Sequence, residues 1–131
     1  MSEYTTREIL DMIESNGGSE GLRLSDKDLS GIDLSREAVR AELHTMTTGD
    51  QREKRRWWSQ DSRGIRLVGV KLTSTNLSGA NLQGADLEGA VLLGTNLQKA
   101  NLSGARLEEA LLYQTHLEGA NLSGANLRGV G

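Results

Sequence analysis

The chain has 131 residues, with 15 basic against 18 acidic side chains, no cysteine, no proline, no phenylalanine and only two Trp and two Tyr. No disulfide framework, zinc–thiolate site, iron–sulfur cluster or cysteine nucleophile is possible, and the shortage of rings argues for a thin, repetitive interior. Apolar runs such as Ala90–Leu93 fall far short of the ~20 residues of a membrane span, and Met1-Ser2-Glu3-Tyr4 does not open a signal peptide, so the expectation is a soluble cytoplasmic protein.

In chain order, residues 1–21 read as a helix and turn. Thr5 with Glu8 fits a capping box, Ile9, Leu10, Met12 and Ile13 form an apolar stripe, and Asn16-Gly17-Gly18 is a stop signal. The expected role is a lid, because Glu3, Glu8, Asp11 and Glu14 disfavour an anionic membrane. Residues 22–36 place leucines at 24, 29 and 34, which predicts three faces of an incomplete first coil. Lys27 stands where a small residue belongs, so that face is expected to be irregular. Residues 37–64 form an insertion: Val39, Leu43 and Met46 after Ser35 predict a short helix, followed by a basic loop with two Trp.

Residues 65–131 carry the dominant signal. From Leu67 to Leu127 thirteen leucines recur in unbroken steps of five, and the residue two before each is small or β-branched, from Ile65 and Val70 to Ala120 and Ala125. Neither 3.6 nor 2 divides five, so a long helix or flat strand would sweep these leucines into solvent. A chain that turns a corner every five residues keeps them inside. Glycine follows the leucine by two residues in nine of the thirteen units, where the chain must bend. Residues twenty apart also group sensibly: Thr75, Thr95 and Thr115; Asn76, Asn96 and His116; Asn81, Asn101 and Asn121; Arg66, Asp86 and Arg106.

Units such as Ala80-Asn81-Leu82-Gln83-Gly84 and Ala120-Asn121-Leu122-Ser123-Gly124 resemble the pentapeptide-repeat proteins. The resemblance implies an all-β solenoid, a right-handed quadrilateral β-helix with four five-residue faces per coil. It further implies end-to-end dimerisation through C-terminal coils, here Leu107, Leu112, Leu117, Leu122, Leu127 and Val130. A chain that belongs to a longer protein is the other explanation for a repeat running to the last residues.

Two surface features stand out. Val91, Leu93, Leu111 and Tyr113 flank the leucines of one column and project apolar side chains from one wall, an interface candidate unless Trp57 and Trp58 cover it. Arg52, Lys54, Arg55 and Arg56 beside those Trp residues form a weak basic and aromatic signature, diluted by Asp50, Glu53 and Asp61, so nucleic acid is not an expected partner. The only histidines, His44 and His116, lie apart without spaced metal ligands, and no phosphate loop or catalytic constellation is present, so no catalytic residue, cofactor or metal is expected.

The expected function is a non-catalytic scaffold or protein-interaction module whose partner has no signature in the sequence. One alternative implied by the resemblance is a DNA-mimicking modulator of DNA gyrase or topoisomerase. Residues 65–131 oppose that with five acidic and five basic side chains, a poor imitation of a phosphate polymer. Another is a targeting or sensor domain of a longer protein.

Overall fold

The computed structural model describes residues 2–45 and 64–131, of which 43–45 by backbone alone. The five-residue step closes a circuit after four walls. Parallel bridges join residues twenty apart along each wall, as in Lys71↔Val91↔Leu111 and Asn81↔Asn101↔Asn121. Each wall holds single bridges, and no longer ladder forms among the described residues, because corners leave too few extended residues between them.

Backbone bonding repeats with the coil. A central leucine donates its N–H to the carbonyl nineteen residues on, as in Leu67 to Asp86 at 2.7 Å, and the residue before it donates back, as in Asp86 to Ile65 at 2.8 Å. The walls are named by their leucines: first, Leu24, Leu72, Leu92 and Leu112; second, Leu29, Leu77, Leu97 and Leu117; third, Leu34, Leu82, Leu102 and Leu122; fourth, Leu67, Leu87, Leu107 and Leu127. Leu67 thus completes the incomplete first coil rather than starting a new one, making four coils in all. The bridges Arg23↔Lys71, Asp28↔Asn76 and Asp33↔Asn81 span 48 residues, one coil plus the insertion.

The core is a column of leucines lined by small residues, fully buried through the third coil. On the second wall the small residue is threonine, and the structure supplies the reason. Thr75, Thr95 and Thr115 donate their hydroxyls to the carbonyls of Leu24, Leu72 and Leu92 at 2.6–2.7 Å, so the inward hydroxyl is paired on all three levels that carry it. Corner positions adopt a left-handed backbone whether glycine occupies them or not: Ser74, Lys99, Glu109 and Gln114 have φ of 57–61°.

Helix α1 (Thr6–Ser15) begins with the predicted capping box, Thr5 and Glu8 exchanging side-chain bonds with each other's N–H at 3.0–3.1 Å. Ile9, Leu10 and Ile13 are completely buried in the leucine core. The N-terminal segment also meets the backbone edge of the first coil, since Glu3 N–H donates to Asp28 O and the Thr6 hydroxyl to Asp33 O. Lys27 does not make its face irregular. Asn76 N–H bonds its carbonyl at 2.9 Å, and the ammonium reaches the Tyr4 hydroxyl at 3.1 Å, 5.0 Å from the ring centre. Helix α2 (Arg36–Thr45) leaves from the corner after the third wall, with Val39 fully buried and α1 beside it. The chain returns at Gly64 to the same corner, against Gly84. Met46, Trp57, Trp58 and the basic run Arg52, Lys54, Arg55 and Arg56 lie outside the described residues, as does the side chain of His44.

Candidate functional site

Every exposed large apolar side chain among the described residues lies in the last coil: Leu111 at 44%, Tyr113 at 69%, Leu127 at 39% and Val130 at 37% exposure. Leu111 and Tyr113 stand on the first wall, while Leu127 and Val130 belong to the rod's end. Leu112, Leu117 and Leu122 are half-buried there, packed on the third coil but uncovered on the far side.

Two sequence expectations need correction. Leu107, which the resemblance assigned to the end-to-end surface, is 1% exposed, because the last coil lies over it. Leu107 N–H bonds Asn126 O at 2.8 Å, putting it one coil inside. Val91 and Leu93 are half-buried rather than projecting; only the Leu111 and Tyr113 pair stands clear.

The end is also unsatisfied in its backbone. Gly131 begins another level on the first wall, accepting from Leu112 N–H at 2.7 Å and donating to Ala110 O at 2.9 Å. On the other three walls the equivalent groups, the N–H of Leu117, Leu122 and Leu127 and the C=O of Thr115, Ala120 and Ala125, have no partner among the described residues. An edge of this kind is a template for pairing with another chain.

The remaining walls are polar and internally satisfied. In nine bridge positions an Asn or Asp side chain accepts the N–H two residues on, from Asp28 to Asn126. On the fourth wall Arg106 contacts Glu108 at 2.9 Å, Asp86 at 3.5 Å and Glu88 at 3.6 Å, and those carboxylates raise its pKa, its hydrogen bond to Glu108 foremost. On the second wall His116 continues the Asn76 and Asn96 column as expected. Beside it Glu118 accepts from the Gln98 amide at 3.0 Å, which holds its carboxyl below the ordinary range. Sequence reasoning missed the Asn and Asp turns, although their signal, an Asn or Asp immediately before the leucine, recurs throughout. It also missed Arg23 above the apolar column, because its alignment with Lys71 requires the 48-residue offset. No helix of the described residues is long and apolar enough to cross a membrane.

A family model described as pentapeptide repeats, in eight copies, matches residues 65–104 and 90–129. The chain is similar to Rfr23, a pentapeptide repeat protein from the cyanobacterium Cyanothece 51142, at 33% identity over 85% of this chain and 60% of that one, with a TM-score of 0.54. It is similar to alr5209, a pentapeptide repeat protein from Nostoc PCC 7120, at 26% identity over 86% of this chain and 71% of that one, with a TM-score of 0.37. HetL, a pentapeptide repeat protein involved in heterocyst differentiation regulation in Nostoc sp. strain PCC 7120, matches at 27% identity over 82% of this chain and 46% of its own length, with a TM-score of 0.29. The chain therefore spans less than two thirds of Rfr23 and less than half of HetL. No curated protein matches it.

Proposed function

The chain belongs to the pentapeptide-repeat family, whose fold is the right-handed quadrilateral β-helix, and on that premise we propose that it is a non-catalytic scaffold that works by binding protein through its last coil. The observation that carries the reading is the confinement of all four exposed large apolar side chains to that coil, next to three walls of unpaired backbone. Exposed apolar surface joined to an open edge favours association with another chain. A second copy meeting the first end to end is the simplest occupant, since each end offers the same N–H and C=O pairs.

Sedimentation of the 131-residue chain over a range of concentrations tests this. A dimer that Leu127→Lys with Val130→Lys converts to monomer, at unchanged circular dichroism, is expected. A monomer at every concentration whose thermal melt is untouched by those charges refutes the end as a contact surface. The gyrase-directed reading draws less support. The acidic groups of the fourth wall are tied to Arg106 instead of presenting a free anionic track.

A further inference from the structure

We propose that the first wall is a docking stripe for an amphipathic helix of another protein, acidic at the end over Arg23 and Lys71 and apolar over Val91, Leu93, Leu111 and Tyr113. This rests on the protein-binding reading above and shifts the partner's main contact from the rod's end to its side.

Three departures from the repeat coincide on this wall. Its bridge column, Arg23↔Lys71↔Val91↔Leu111, is the one column of the four with no Asn or Asp, so it forgoes the side-chain turns that brace the others. The corner after it carries Asp26, Ser74 and Gln114 with φ of 57–63°, three of the five non-glycine left-handed residues among those described. Such a conformation is disfavoured for a residue with a Cβ. A sequence that breaks its own local rules repeatedly in one place, at a cost in stability, is answering to something other than the fold. The third departure is electrostatic. Arg23 and Lys71 stand on adjacent levels of one bridge column, the one pair of cations so stacked on the four walls, and both are exposed with no carboxylate within ion-pair distance among the described residues.

The stripe therefore runs from two stacked cations to an apolar patch along the rod axis. Levels of the rod are about 4.8 Å apart, and a helix advances about 5.4 Å per turn. A helix laid along the wall thus offers roughly one turn to each level, drifting by about 0.6 Å per level and about 2 Å across the four, which flexible side chains absorb. Acidic residues on one turn then face Arg23 and Lys71, while apolar residues at i, i+3, i+4 and i+7 face Leu111 and Tyr113. An extended strand along the axis would cross the wall's own bridged backbone at right angles and find no backbone partner. The matching charge also gives the partner a direction, because reversing the helix would place carboxylates on Leu111.

The test is to pan a phage-displayed library of random dodecapeptides on the 131-residue chain, then titrate selected synthetic peptides by fluorescence anisotropy. Selected peptides are expected to cluster Asp and Glu at one end and large apolar residues at helical spacing at the other. Their affinity should fall at least tenfold with Arg23→Glu plus Lys71→Glu, and as much with Leu111→Asp plus Tyr113→Asp, and should weaken as salt is raised. The charge-reversal pair acts at exposed sites, so it keeps the test valid if the aspartate pair perturbs folding. Selection with no acidic bias, binding that survives Arg23→Glu plus Lys71→Glu, or enrichment of no peptide at all overturns the stripe. Peptides insensitive to the wall but lost with Leu127→Lys plus Val130→Lys overturn it while leaving protein binding at the rod's end standing.

Discussion

Gly64 sits where the insertion rejoins the rod, buried at the corner after the third wall, and its φ lies outside the left-handed region. Conformation alone would therefore permit alanine. Space forbids it: a Cβ would stand 2.5 Å from the Gly84 carbonyl carbon and 2.6 Å from the oxygens of Gln83 and Gly84, all backbone atoms. Relief needs about 1 Å of movement, because ordinary contact begins near 3.4 Å. Neither side yields easily, since Gly84 N–H bonds Ser103 O at 2.8 Å and Asp86 N–H bonds Ile65 O at 2.8 Å. Overpacking at ~1–3 kcal/mol, with ~1 kcal/mol for one weakened hydrogen bond, gives a loss of about 2–4 kcal/mol for Gly64→Ala. Gly89→Ala is the control. Its site is open, with nothing within 4 Å of the new Cβ, but its φ is +66°. The left-handed cost of ~1–2 kcal/mol, less ~0.4–1 kcal/mol from the stiffer unfolded chain, leaves a loss of about 0.5–1.5 kcal/mol. Urea unfolding monitored by circular dichroism should rank Gly64→Ala as the more damaging. Equal midpoints, or the reverse order, refute the packing of Gly64 on Gly84.

Leu97→Lys places an ammonium at a fully buried level with a coil on each side, and should abolish cooperative unfolding at 25 °C, a loss of at least about 4 kcal/mol; a native far-UV spectrum and melt would show that the side chain does not point inward. Thr95→Val keeps the shape but removes the bond to Leu72 O. That carbonyl still accepts from Thr75 N–H, so denaturant midpoints should report a loss of only about 1 kcal/mol. Glu118 has its pKa lowered first by the Gln98 amide, so its contribution is present above its ordinary pKa and is lost as the pH falls through the depressed folded value. Melting temperatures across the acid range should fall less steeply for Glu118→Gln than for the parent chain, and parallel curves would remove the group from the acid response.

Most of the rod was legible because one physical requirement, a leucine inside at every fifth residue, writes itself into the sequence thirteen times in succession. The capping box was legible for a related reason: Thr5 and Glu8 are three residues apart and satisfy each other locally. What escaped was anything set by distance across the insertion. Leu67 looks like the first unit of a run and is the last wall of the coil begun at Leu24, a relation visible only once Arg23 is bridged to Lys71. Lys27 looked like a fault in its face because the repeat specifies what lies above and below an interior position. In the outermost coil one side is Tyr4 of the N-terminal segment, so a long side chain can leave by that route.

The same distinction governs function. Positions that obey the period are fixed by the rod's own packing: Leu97, Thr95 and the Asn turns would be needed whatever the rod did. Information about a partner can reside only where the rule leaves a choice, or where the chain departs from it at some cost. Most bridge sites of the second and third walls carry Asn or Asp whose side chain accepts a nearby backbone N–H, and on the fourth wall Arg106 gathers Asp86, Glu88 and Glu108. On the first wall Arg23 and Lys71 bond no carboxylate among the described residues, Leu111 and Tyr113 are exposed, and Ser74 and Gln114 accept a backbone conformation that glycine would adopt more readily. Replacing Gln114 by glycine should therefore raise stability while leaving the rod unchanged, and the same substitution should weaken a partner that uses this edge. A glycine that improved both would mean that the departures on the first wall carry no binding information.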